Sequence, residues 1–264
     1  QERYQEFDRY LKLILDTLDE NNTKATFFCL GKMATDFPEI IKLIANKGHE
    51  IGCHSDEHLW LTKMNPAQVS RDTHDAISTL EDVCGKKIRS YRAPAFSIGE
   101  NNKWVIEILA SEGIERDASI FPVQRDFGGF ASFPTDNPTK ISYNGIVLKE
   151  FPICLTRLFG REIAFSGGGY FRFFPLKFIQ NKIVESQYIM TYFHIGDLIY
   201  NKGKILSRHA YETYFKEPGT FRNRFTRYIK SNLGTKGAFD KMSKLIENND
   251  FISLEKADSL INWD

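Results

Sequence analysis

The chain has 264 residues, 42% of them hydrophobic and 26% charged, with a formal net charge of +1. These are the proportions of a globular protein long enough for one large domain, and they exclude collagen-like, disordered and uniformly basic nucleic-acid-binding compositions. No run approaches the roughly 18 apolar residues of a membrane span, and the scattered cysteines make reduced thiols and a cytoplasmic home the plain reading.

Taken in order, Tyr4, Phe7, Leu11, Ile14, Leu15 and Leu18 fall at helical spacing and open the chain on a helix. Strand-like runs follow at 25–30, 49–54, 88–92, 146–153, 188–194 and 251–254. Amphipathic helices lie between them at 35–47, 66–83, 101–112, 173–186 and 237–248. Thr35 or Asp36 with Pro38, and Asn65 with Pro66, have the chemistry of helix starts. Alternating strands and helices predict an α/β fold with a parallel sheet and right-handed crossovers. The pattern alone fits an open sheet and a barrel equally. Residues 122–145 read as a turn-rich insertion, and 200–235 as a basic, aromatic excursion. From Lys202 to Lys236 there are nine Lys or Arg against Glu212 and Glu217, a stretch suited to an anionic partner or to a solvated helix face. No linker or repeat interrupts 1–264, which predicts a single domain. Cys29, Cys53, Cys84 and Cys154 are scattered without a metal or disulfide spacing and read as reduced thiols.

Chemistry concentrates at the ends of the strand-like runs. His54 and His58 stand four apart behind Gly48-His-Glu-Ile-Gly-Cys53, and a turn of helix there would aim both imidazoles at a divalent metal, zinc above all. Ser55 occupies the place where a zincin carries its glutamate, which argues against a metalloprotease. Arg92 precedes Ala93-Pro94 and is biased toward extended backbone. His194 ends the apolar run from Tyr188, where a histidine is a core residue or a catalyst. Asp117 is either a partner for Arg92 or His194 or a loop residue. Glu150 either faces the substrate cleft or bridges a lysine. Ser166-Gly-Gly-Gly-Tyr170 lacks the lysine and spacing of a phosphate loop, and offers Tyr170 and Phe171 for stacking on a sugar.

In this order Ala25-Thr-Phe-Phe28, Gly48-His-Glu-Ile-Gly52, His54-Ser-Asp-Glu-His58, Tyr91-Arg-Ala-Pro94, Ser119-Ile-Phe-Pro122 and Ser166-Gly-Gly-Gly-Tyr170 resemble the polysaccharide deacetylases of the NodB-homology group, carbohydrate esterase family four. The branch they are most similar to accompanies exopolysaccharide and surface-glycan synthesis. The resemblance implies a distorted (β/α) barrel of about seven strands and a metal-dependent hydrolase removing N-acetyl groups from amino sugars of a bacterial surface polysaccharide or its precursor. It implies His54 and His58 as metal ligands, His194 as the general acid and Arg92 as the holder of a catalytic aspartate. Family members open with a strand ending in paired acids, which the chain from Gln1 does not show. The expectation is that this strand precedes Gln1. A deformylase or amidase of the same fold acting on a lipid-linked sugar, and an inactive glycan-binding module, are the rival readings.

Overall fold

The computed structural model describes residues 2–124, 128–200, 204–215 and 217–263, so Lys202 and Lys216 of the basic stretch lie outside the described residues. Two compact units interleave along the chain. One comprises Leu18–Ala164, Tyr188–Met190 and Asp250–Asp264, the other Gln1–Thr17, Phe165–Gln187 and Thr191–Asn249.

Helix α1 (Glu2–Glu20) leads into the first of these units, which alternates β1 (Thr26–Cys29), α2 (Gly31–Asp36), α3 (Pro38–Asn46), β2 (Glu50–Cys53), α4 (Pro66–Cys84), β3 (Ser90–Tyr91), α5 (Val105–Ser111) and β4 (Arg116–Asp117). A hairpin of β5 (Thr139–Tyr143) and β6 (Ile146–Glu150) follows, then a second of β7 (Leu155–Leu158) and β8 (Arg161–Ala164). The main sheet runs β1-β2-β3-β4-β6-β5 and is parallel except for β5. This is the mixed α/β architecture the alternation predicts.

Local chemistry explains the boundaries. Asn65 and Gln68 form a reciprocal capping box around Pro66, and α4 ends on Gly85 in the left-handed region. The single helix predicted over 35–47 is instead two, because Pro38 cannot extend α2 and Phe37 (φ −142°, ψ 61°) breaks the run ahead of it. The turn-rich 122–145 conceals β5, whose apolar side is short. The expected strands at 188–194 and 251–254 do not form; the first makes one bridge, Tyr192 to Gly167.

The other unit is helical: α6 (Gly168–Phe173), α7 (Leu176–Glu185), α8 (Ile195–Leu198), α9 (Arg208–Phe215), α10 (Phe221–Asn232) and α11 (Ala238–Glu247). Two cations cap helix ends here. Lys241 Nζ donates to the carbonyls of Phe171, Arg172 and Phe174 at 2.7–3.0 Å, and Arg172 donates to those of Lys230 and Ser231 at the end of α10. Helix α10 buries no residue and turns Phe221, Phe225 and Ile229 outward. Its inner side carries Arg224, bonded to the Leu206 carbonyl at 2.9 Å, and Arg227, 4.2 Å from the Phe215 ring centre.

Back in the first unit, α12 (Leu254–Leu260) closes the N-terminal ends of the strands. Glu50 accepts from Thr26 and Ser90 hydroxyls and the Glu255 amide. Arg116 reaches Ser90 and Asp258, and Lys149 pairs with Asp258 at 2.6 Å. The C-terminal strand ends, where α/β folds collect functional side chains, lie opposite this polar seal. No helix among the described residues is long and apolar enough to cross a membrane.

Candidate active site

His54 and Arg92 each stand just past a strand's C-terminal end. The His54 amide donates to Cys29 O (2.8 Å) and the Arg92 amide to Cys53 O (2.9 Å), so the parallel pairing continues one residue beyond β2 and β3. Strand alternation sends both side chains to the face opposite Cys53 and Tyr91. Gly52 makes room on that face: a Cβ there would lie 2.7 Å from the Phe28 ring.

The two histidines do meet, though not on a helix. Ser55 (φ 68°) and His58 (φ 63°) are both left-handed, so 54–58 is a strained loop. Buried Ser55 holds it, its hydroxyl accepting from the His58 amide (2.9 Å) while its carbonyl accepts from Gly31 at the start of α2 (3.1 Å). The imidazole centres stand 5.1 Å apart at 73°. His54 Nδ1 is 2.6 Å from the Arg92 carbonyl. A carbonyl only accepts, so Nδ1 carries the proton and the lone pair of the neutral ring is on Nε2.

That donor chemistry suits a zinc-like ion: neighbouring imidazoles, one with its tautomer set by a backbone carbonyl. Among the described residues no three His, Cys, Asp or Glu side chains converge as a metal site. The thiols are poor additions. Burial pushes Cys29 up to about 12 and Cys53 higher still, which keeps both protonated.

Arg92 is nearly buried. Its Nε donates to Ala118 O (2.9 Å), its guanidinium lies 4.6 Å from the Phe28 ring centre, and a terminal nitrogen is 3.3 Å from Met190 Sδ. Asp117 leaves its strand on the other face and bonds the Ser119 hydroxyl at 2.5 Å. Glu150, expected to line a cleft or bridge a lysine, does neither. It is 0% exposed, and Lys149 beside it takes Asp258. An acid at a strand end reads as reachable in sequence, but register puts Glu150 beside Asp117 beneath the 118–120 segment.

In the helical unit, His194 is exposed, with 67% of its side chain accessible, rather than buried as its apolar run suggests. The reason is position: it is the first, capping residue of α8. Its Nδ1 lies 3.0 Å from Asp197 Oδ2, which also accepts the His194 amide. Burial pushes Asp197 up, but hydrogen bonds from His194 and the charges of His194 and Arg172 outweigh it and hold the carboxyl below its ordinary value. Tyr170 is half-buried. Phe171 is not a stacking platform, being fully buried against Phe193, 4.7 Å between ring centres. The glycine run has a packing cause: a Cβ on Gly167 would fall 2.1 Å from Tyr192 Cδ1, and Gly168 needs φ +53°.

Sequence reasoning gave no positioning role to Ser55, Phe28 or Ser119 and passed over Gly31, yet all four hold the site in place. Gly31, two residues past the end of β1, carried a readable signal, since a glycine beside a strand-like run can mark close backbone approach.

Residues 5–116 match the family described as polysaccharide deacetylase, and residues 118–258 match a domain of unknown function (DUF3473). Residues 5–116 thus belong to the polysaccharide deacetylase family, and the DUF3473 domain makes up the second half of the chain. A peptidoglycan-N-acetylglucosamine deacetylase of Bacillus cereus is 41% identical over 95 residues, 36% of this chain and 34% of that protein. One from Listeria monocytogenes is 35% identical over 94 residues, 36% of this chain and 20% of that protein. The chain thus spans from a fifth to about a third of the length of these curated relatives. The crystal structure of a candidate polysaccharide deacetylase from Mycobacterium smegmatis shares the fold, with a TM-score of 0.57 at 18% identity over 97% of this chain and 79% of that one.

Proposed function

We propose that this chain is a metal-dependent carbohydrate N-deacetylase, hydrolysing the acetamide of an N-acetylated amino sugar in a bacterial surface polysaccharide or its precursor. The observation that carries the reading is the strained 54–58 loop, which brings two imidazoles together at a strand's C-terminal end and fixes one tautomer through the Arg92 carbonyl. The curated relatives named above, which act on N-acetylglucosamine of peptidoglycan by their descriptions, supply the substrate class.

His54 and His58 are the groups that would hold the ion, which when bound would polarise a carbonyl oxygen and make water more acidic. Arg92, fixed by Ala118 and Phe28, presents a positive charge that orders a carboxylate or a developing oxyanion. His194 donates a proton to the departing amine. Asp197, kept ionised, orients its ring and stabilises the imidazolium.

The test is acetate release from N-acetylated chitooligosaccharide and from peptidoglycan, with metal content measured alongside. The double variant His54→Ala/His58→Ala should lose both acetate release and bound metal while keeping its fold. Metal content and turnover unchanged in that variant would overturn the proposal.

A further inference from the structure

Asp117 and Glu150, the last residues of β4 and β6, are direct register partners in parallel strands, so their side chains leave the sheet together on one face. Water does not reach them: Asp117 is 3% exposed and Glu150 0%. Their donors are few. The Ser119 hydroxyl gives its proton to Asp117, and the Ile120 amide donates to Glu150 Oε1 at 3.0 Å. Glu150 Oε2 is buried with no donor at all.

The nearby cations are engaged elsewhere. Arg116 and Lys149 precede the two acids on their strands, point to the opposite face and pair with Glu50 and Asp258. Arg92 reaches the pair only through space, its Nε being bonded to Ala118 O. Tyr91 and Asp72 lie on the Asp117 side, and Tyr188, Cys154 and Asp136 lie beyond Glu150. None of these is a cation. Two ionised carboxylates in contact and dry, with Arg92 acting only through space and no cation among the described residues bonded to either, repel strongly. A single shared proton removes the repulsion and gives the orphaned Oε2 its missing bond.

We infer that Glu150 is a neutral carboxylic acid at neutral pH, its proton donated to Asp117, and that this acid pair positions the 118–120 segment and through it Arg92. Burial is the main cause lifting both carboxyls, and the Asp117 charge lifts Glu150 further. The connection to Arg92 is short. Glu150 holds the Ile120 amide, Asp117 holds the Ser119 hydroxyl, and that hydroxyl accepts from the Ala93 amide at 2.8 Å. Ala118, whose carbonyl grips Arg92, sits between them. Only the consequence for Arg92 rests on the proposed deacetylase reading; the protonation itself does not.

The test is linkage combined with infrared spectroscopy. Glutamine keeps the shape, accepts from Ile120 and donates to Asp117, so Glu150→Gln should fold. A raised folded-state value means the unfolded chain binds fewer protons above about pH 4.3. Wild-type stability therefore falls relative to Glu150→Gln as pH rises, by about tenfold in the unfolding equilibrium per pH unit, until the folded acid ionises. Unfolding titrations at pH 5, 6, 7 and 8 read this. A pH-independent gap between the two proteins would overturn the inference. Carbon-13-edited infrared on wild type labelled in glutamate should show a protonated-acid carbonyl band at pH 7, which decides the matter even if the variant misfolds. Its absence would overturn the inference as well. For the positioning role, the pH profile of kcat/KM should lose one alkaline-limb ionisation in Glu150→Gln; an unaltered profile would refute that half. A protein that shows the band and the linkage but releases no acetate would leave the acid pair standing and bring down the deacetylase reading.

Discussion

Gly31 offers the sharpest test of how the histidine loop is held. A Cβ at this position would stand 2.4 Å from Asp56 Oδ1 and 2.6 Å from Ala76 Cα. The carboxylate can swing away, but the Ala76 backbone belongs to α4 and cannot. Relaxed contacts need about 3.5–4.0 Å, so Gly31→Ala forces α2 away from α4 by on the order of 1 Å. Overpacking of this kind costs about 1–3 kcal/mol, and the better helix propensity of alanine offsets up to about 1 kcal/mol. The net loss of stability is then about 0–2 kcal/mol. The consequence for activity is larger. Gly31 donates to the Ser55 carbonyl, and Ser55 holds the His58 amide, so the displacement passes into the imidazole pair. A shift of 1 Å at a reacting centre is worth about 10²-fold in rate. Urea unfolding and acetate release measure the two effects separately. Gly85→Ala is the control. It meets no atom within 4 Å but stands at φ +68°, so it should cost about 1–2 kcal/mol of stability with kcat/KM retained. If Gly31→Ala keeps wild-type kcat/KM, or if both variants lose activity in proportion to stability, the positioning argument is wrong.

His194→Ala should lower turnover by about 10²–10⁴-fold with little change in Tm, because the ring is largely exposed. A folded variant with normal turnover would remove it from the chemistry. In the basic stretch, Arg224→Gln should destabilise the protein by about 0.5–1.5 kcal/mol through loss of its bond to Leu206 O, whereas exposed Arg222→Gln should not. Equal melting curves for the two variants would contradict this division, and a rise in KM for an anionic glycan confined to Arg222→Gln would assign that side chain to recognition.

What the sequence disclosed and what it withheld divide along a physical line. The alternation from β1 to β3, the helix start at Asn65 and the His54/Arg92 placement were legible because each depends on a handful of adjacent residues: a pleat, a cap, a strand end. The 54–58 loop was not. A spacing of four suggests a helical turn, and the left-handed Ser55 and His58 are imposed by Gly31, a residue 24 positions away from Ser55. Glu150 and Phe171 illustrate a second limit. An acid at a strand end and an aromatic after glycines both look like substrate contacts, yet strand register buries one beside Asp117 and Phe193 packs over the other. Helix α10 shows the same limit from the opposite side. Its spacing reveals an apolar stripe through Phe221, Phe225 and Ile229, which faces outward while Arg224 and Arg227 take the inner contacts. Periodicity identifies faces. Which face meets protein is decided by partners distant in sequence: Gly31, Lys32 and Asp72 for the loop, Asp117 and Ile120 for Glu150, Leu206 and Phe215 for α10.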